Sequence, residues 1–210
     1  MKIKNYFLYK MRCVYNRMKV KNKNFTIISN DCAAGVIYHD LHSKFLSPTI
    51  NLYIYPTDFV KFVKNLDYYL KCTLFDVTNS NEFPIGLLDD IKIYFMHYES
   101  FSVAKTKWDE RCKRINRENI FIIFNDRNGA TEKEISEIDK LKIPHIIYSN
   151  KKEYEKYTSV IYMDIFKNKD NVGIMTQFYK DTGKRYLYFA DITGFINQKN
   201  NNYAIKQIKN

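Results

Sequence analysis

Phe25-Thr26-Ile27-Ile28-Ser29-Asn30-Asp31-Cys32-Ala33-Ala34-Gly35 is the stretch whose reading decides the fold. Its first four residues are apolar or β-branched and form a short run of the kind that makes a buried strand. Ser29-Asn30-Asp31 breaks that run, and small residues then lead into Val36-Ile37-Tyr38, which reads as the start of a helix. A strand, a tight polar turn and a helix with small residues at its mouth is how α/β proteins set a ligand over helix N–H groups. A cysteine sits in the turn.

Downstream the same alternation continues. Pro56-Thr57-Asp58 is a helix-start signal, followed by Phe59, Phe62, Val63 and Leu66 at helical spacing. Residues 91–97 have good strand composition and end in His97. Ser102 is the expected N-cap of a helix running to about 116. Residues 119–124 are a continuous apolar strand ending in Asn125-Asp126-Arg127-Asn128-Gly129. Thr131 and Glu134 fit a capping box, and 144–148 is a further strand. Residues 159–165 and 172–178 look strand-like, and 185–195 looks helical. From 91 to 165 strands and helices alternate, which predicts a three-layer α/β fold, a largely parallel sheet with helices on both faces. No internal repeat or second domain is evident. The expected organisation is a basic amphipathic helix and linker over 1–23, one α/β domain over 24–195, and a polar basic tail over 196–210.

The net charge of +11 is concentrated at the ends. Eight cations precede Asn24 and three follow Asp191, with no acid in either stretch. Residues 24–191 hold 23 bases and 23 acids, so the body is neutral and nucleic acid is not an expected partner. In the first helix Phe7, Leu8, Met11, Val14, Tyr15 and Met18 form one apolar stripe, with cations filling much of the rest. Two readings stay open: a helix that packs its stripe on the core or on another subunit of a homo-oligomer, or an interfacial helix on an anionic membrane surface. No run approaches the ~18 apolar residues of a membrane span, and the first twenty residues lack the apolar core of a signal peptide. The expectation is a cytoplasmic, membrane-peripheral protein. The four cysteines are far apart, with no zinc spacing, and are expected as free thiols. His39 and His42 are i, i+3 but lack a third ligand, so no metal site is assigned.

Ligands in open parallel sheets bind beyond the carboxyl ends of the strands. Three expected strands end in unusual polar groups: Ser29-Asn30-Asp31-Cys32, His97, and Asn125-Asp126-Arg127. On one sheet edge they would share a cleft. Cys32 at a helix N-terminus would have its thiolate favoured. With His97 as base and Asp126 or Asp89 as orienter it would form a nucleophilic group for acyl or glycosyl-type transfer. The plainer reading of Cys32 is a small buried thiol behind a structural turn. Substrate contacts would come from Ser29, Asn30, Asp31 and Gly35 in the turn. Asp89 and Asp90 could take a sugar hydroxyl pair or a divalent cation with a nucleotide, or simply form a turn. Arg111, Arg114 and Arg127 could hold a phosphate, or form solvated faces.

Five blocks together carry a resemblance: residues 25–35, Leu46-Ser47-Pro48-Thr49-Ile50-Asn51-Leu52, Pro84-Ile85-Gly86-Leu87-Leu88-Asp89-Asp90-Ile91, Met96-His97-Tyr98, and Lys107-Trp108-Asp109-Glu110-Arg111-Cys112-Lys113-Arg114-Ile115-Asn116. They resemble a bacterial domain-of-unknown-function family whose members are labelled exopolysaccharide- or capsule-biosynthesis proteins. After the cysteine that family has Trp-Gly-Gly, where this chain has Ala33-Ala34-Gly35. The resemblance implies an α/β fold and a link to surface polysaccharide, but no established reaction and no known cofactor. The expected function is a surface-polysaccharide biosynthesis protein, a transferase acting on a sugar or phosphate-containing precursor. The alternative is a non-catalytic binding or assembly protein docked to membrane or to the polysaccharide machinery through its basic helix.

Overall fold

The computed structural model describes residues 3–79 and 82–198. Its main sheet has four parallel strands in the order β1 (Thr26–Ser29), β5 (Ile120–Asn125), β6 (His145–Ser149) and β7 (Val160–Tyr162). A separate antiparallel sheet joins β2 (Leu74–Asp76), β3 (Ile85–Leu88) and β4 (Ile91–Tyr94). The helices are α1 (Ile3–Lys19), α2 (Ala33–Asp40), α3 (Pro56–Lys64), α4 (Leu66–Tyr69), α5 (Phe101–Cys112), α6 (Glu132–Asp139) and α7 (Ile192–Asn197).

Strand alternation divides the core in two. Ile27, Phe121, Ile123, Ile146 and Tyr148 face α2 and α7. Ile28, Ile122, Phe124 and Ile147 face α3, α5 and α6. Helices therefore cover both faces, which is why the parallel strands read as continuous apolar runs. β1 lies at the sheet's edge, but its outward N–H groups are not left bare. That of Ile27 donates to the Tyr38 hydroxyl at 3.0 Å, and that of Ser29 to Thr49 Oγ1 at 3.0 Å. Residues 46–54 run along this edge, with Ile54 N–H donating to the Asn30 carbonyl at 3.1 Å. The chain thus leaves β1 through α2 toward one side, whereas β5 continues through α6 toward the other. The ends of β1 and β5 flank the point where the connections diverge, the usual place for a ligand crevice.

Several expectations change. The strand expected over 91–97 is β4 of the antiparallel sheet and ends at Tyr94, so His97 sits in an exposed turn after it, off the parallel sheet's edge. Ser100, not Ser102, caps α5, its hydroxyl accepting the Val103 N–H. The capping box at Thr131 and Glu134 is present in full. Residues 172–178 are irregular, and the segment expected as one helix over 185–195 is a 3-10 turn (Tyr186–Phe189) followed by α7. The tail expected at the C-terminus lies outside the described residues from 199 onward.

The largest difference concerns α1. Its buried residues are Asn5, Tyr9 and Cys13, which pack on the segment leading to α7. Tyr9 meets Phe178 edge-on, and Asn5 donates to Asp181 at 2.7 Å. Gly183 allows the approach: at φ +64, a Cβ there would lie 2.8 Å from the Tyr9 nitrogen and 2.9 Å from the Asn5 carbonyl oxygen. The apolar stripe points the other way. Phe7, Met11, Val14 and Met18 are between 54% and 78% exposed. At 3.6 residues per turn they share a sector of about 60°, opposite the buried face.

Candidate functional site

The candidate site beyond β1 and β5 is built from the ends of both strands, which are joined by their own side chains. The Asn30 side chain continues the sheet, its Nδ2 donating to the Asn125 carbonyl and its Oδ1 accepting the Asn125 N–H, each at 3.1 Å. Ser29 and Asp31 turn back on the first turn of α2. Ser29 Oγ accepts the Ala34 N–H at 3.0 Å and Asp31 Oδ1 accepts the Ala33 N–H at 2.9 Å. These donors, which the strand–turn–helix pattern offers to an anion, are therefore taken up by the protein's own groups. Gly35 has a packing role: a Cβ there would come within 3.3 Å of Asn51 Oδ1 and Ile50 Cγ2.

Cys32 occupies the N-cap position, half-buried, with its thiol directed at the Leu52 carbonyl oxygen 3.9 Å away. Burial and the charge of Asp31 push this thiol up to about 12, against the pull of Arg127. The expected helix-dipole activation is outweighed, and Cys32 is a neutral thiol at physiological pH. Burial likewise raises the Asp31 carboxyl, opposed by the Ala33 N–H, Arg127 and Asn125. Asp31, Cys32, Arg127 and Asn125 thus interact in one cluster. Within it, Asn125 Nδ2 is buried without a well-formed hydrogen bond.

Asp126 serves a different purpose. Its carboxylate accepts from Ser149 Oγ at 2.7 Å, Asn150 N–H at 3.1 Å and Val172 N–H at 2.9 Å, all buried. Among the described residues it has no hydrogen bond to Cys32 or His97, so the structure does not assemble the three as a bonded nucleophilic group. Asp89 and Asp90 form the β3–β4 turn, with Asp89 at φ +56. They bind Tyr68, Tyr69 and Lys61. Arg114 pairs with Glu110 at the surface. Arg111 goes inward and is 8% exposed. Its guanidinium donates to the Tyr98 hydroxyl and lies 5.5 Å from the centre of the Phe45 ring. Tyr98 in turn donates to the Ile50 carbonyl at 2.9 Å and lies within electrostatic reach of Cys32. Tyr98 and Asn125 are the site residues to which the sequence assigned no role, although Asn125 was named in the polar end of its strand and Tyr98 in one of the five blocks. Asn125 was legible as the last residue of an apolar strand, whereas Tyr98 had no local signal.

A family profile described as "Domain of unknown function (DUF1919)" matches residues 3–197. The chain belongs to the DUF1919 family. This agrees with the domain-of-unknown-function family that the five blocks resemble. A relative from Haemophilus influenzae described as "Uncharacterized protein" is 36% identical over 199 residues, covering 93% of this chain and 97% of that one. The DUF1919 match takes in α1 and α7 together with the sheet, so the docked helix lies within the family's own span. Among the described residues no three His, Cys, Asp or Glu side chains are grouped as for a metal ion. No described helix is long and apolar enough to cross a membrane.

In this DUF1919 chain Cys32 should react with iodoacetamide at pH 8 about 100-fold more slowly than free cysteine, because its thiolate fraction is small even after allowing for greater intrinsic nucleophilicity. Site-resolved mass spectrometry over a time course measures this. Labelling as fast as free cysteine would restore Cys32 as a nucleophile.

Proposed function

We propose that the protein is a peripheral membrane component of surface-polysaccharide assembly, docked on an anionic leaflet by α1. The outward stripe of Phe7, Met11, Val14 and Met18 carries this reading. It is flanked by Lys4, Lys10 and Arg17, with no acid in the helix. A monomer normally buries such a stripe, whereas an interfacial helix sets it among lipid chains and holds its cations at the headgroups. The polysaccharide link comes from the family resemblance. The site beyond β1 and β5 then serves to bind a sugar-bearing precursor. A neutral Cys32 and a fully engaged Asp126 favour binding and assembly over transfer through a thiolate.

Replacing Phe7, Met11, Val14 and Met18 together by serine should lower partitioning onto phosphatidylglycerol vesicles about 1000-fold, since each side chain contributes on the order of 1 kcal/mol when half-buried. The fold should survive, because the buried face of α1 is untouched. Raising salt should weaken wild-type binding. Co-sedimentation with vesicles is the measurement. A wild-type protein that ignores such vesicles and elutes as a dimer through this stripe would overturn the reading.

A further inference from the structure

The side of α1 turned toward the body opens onto a recess of about 370 Å³, closed opposite by residues 183–193. Its lining includes Arg12, Lys19 and Lys184. Among the described residues none of these three pairs with a carboxylate, although two carboxylates line the same recess. Asp40 is occupied by Tyr9, Arg185 and Tyr188, and Asp191 accepts from Gly194 N–H and Thr193 Oγ1 at the start of α7. Lys184 is half-buried, its ammonium 4.4 Å from the centre of the Phe189 ring. Burial and the charge of Arg12 both press its pKa down. The fold thus sets Arg12 and Lys184 within electrostatic reach of one another over a concave, partly aromatic surface, and among the described residues the two carboxylates of the recess are bonded to other groups. Such an arrangement is unfavourable unless a ligand brings the negative charge. A volume of this size suits a small organic ligand, and Tyr15 and Tyr188 offer ring surface for its uncharged part.

We propose that this recess binds a phosphate ester, with Arg12 and Lys184 on the phosphate and Lys19 at the rim. The phosphate can be borne by a soluble sugar or by a lipid headgroup. The lipid source rests on the membrane reading of α1, but the phosphate recognition does not.

The test uses the full chain with glucose 1-phosphate and inorganic phosphate as soluble probes, their binding read by calorimetry. Phosphatidylcholine vesicles with a tenth of phosphatidic acid form the lipid arm. Arg12→Gln with Lys184→Gln should weaken binding at least tenfold in whichever arm binds. Lys44→Gln with Lys152→Gln removes the same charge from exposed sites elsewhere and should leave binding unchanged. Near-UV circular dichroism checks that both variants keep the native fold. The serine variant of the α1 stripe should lose vesicles but keep the soluble esters, which separates failure of the docking reading from failure of this one. Binding of soluble esters places the source in solution. Binding of phosphatidic acid alone, lost in the Arg12 and Lys184 variant, places it in the lipid. Absence of wild-type binding in both arms would overturn the proposal, as would equal weakening by the two charge variants or none by the first.

Discussion

Replacing Asp40 with alanine should destabilise the protein by about 3–5 kcal/mol, the range for removing one partner of a buried ion pair. Asp40 is 1% exposed at the end of α2. Its Oδ1 accepts the Tyr9 hydroxyl at 2.6 Å, and its Oδ2 accepts Arg185 Nε and the Tyr188 hydroxyl, each at 3.1 Å. Three parts of the chain therefore meet on one carboxylate: α1, α2 and the segment before α7. Without it, the Arg185 guanidinium keeps its stack on Phe178 and its bond to the Thr176 carbonyl, but loses its counter-charge. Two tyrosine hydroxyls lose their acceptor as well. For a chain of this size the loss corresponds to a melting-point drop of about 10 °C. Urea unfolding of wild type, Asp40→Ala and Asp40→Asn measures it, with asparagine expected in between because it keeps one acceptor oxygen. Because Tyr9 is the anchor of α1, protease cleavage near residue 20 should also quicken in the alanine variant. A loss below 1 kcal/mol would mean that α1 is held by its apolar contacts and the Asn5–Asp181 hydrogen bond, and not by Asp40.

The strand–turn–helix at 25–41 was legible in the sequence because its signals are local: an apolar run, polar breakers, then small residues. β5, β6 and the capping box at Thr131 were legible for the same reason. What misled was anything decided by partners distant in sequence. The 91–97 strand has the composition of a sheet interior, but its pairing with β3 follows from a two-residue hairpin turn at Asp89-Asp90. That turn removed His97 from the parallel edge. In α1 the apolar stripe was correctly seen but its orientation was not. The buried side uses Asn5, Tyr9 and Cys13, which look ordinary until Asp181, Phe178 and Asp40 come round to meet them. At the site, the polar residues of the β1 turn do gather at the point where the connections diverge. Their protonation could not be read from spacing, because desolvation of Cys32 depends on the passage of residues 50–52 beside it.

Asp126→Ala should cost about 3–5 kcal/mol, for a reason that also bears on the chemistry of the site. The carboxylate is 3% exposed and receives one hydroxyl and two backbone N–H groups. Those donors belong to Ser149 at the end of β6, to Asn150 just after it and to Val172, where the chain turns toward the segment that holds α1. Alanine leaves the Asn150 and Val172 N–H groups buried without acceptors, at about 1–3 kcal/mol each. Asparagine should fall in between, since its oxygen can keep the Ser149 hydroxyl and the Asn150 N–H while its amide N–H groups face the Val172 N–H. A carboxylate held for proton transfer would show the opposite pattern, with function lost and stability nearly kept. Chemical denaturation of both variants, with ligand binding at the site measured on the folded fraction, separates the two. A large stability loss with binding retained makes Asp126 the latch that fixes the end of β5, leaving Asp31, Asn125 and Arg127 to meet the ligand. A stability loss below 1 kcal/mol with binding abolished would return Asp126 to the reacting groups.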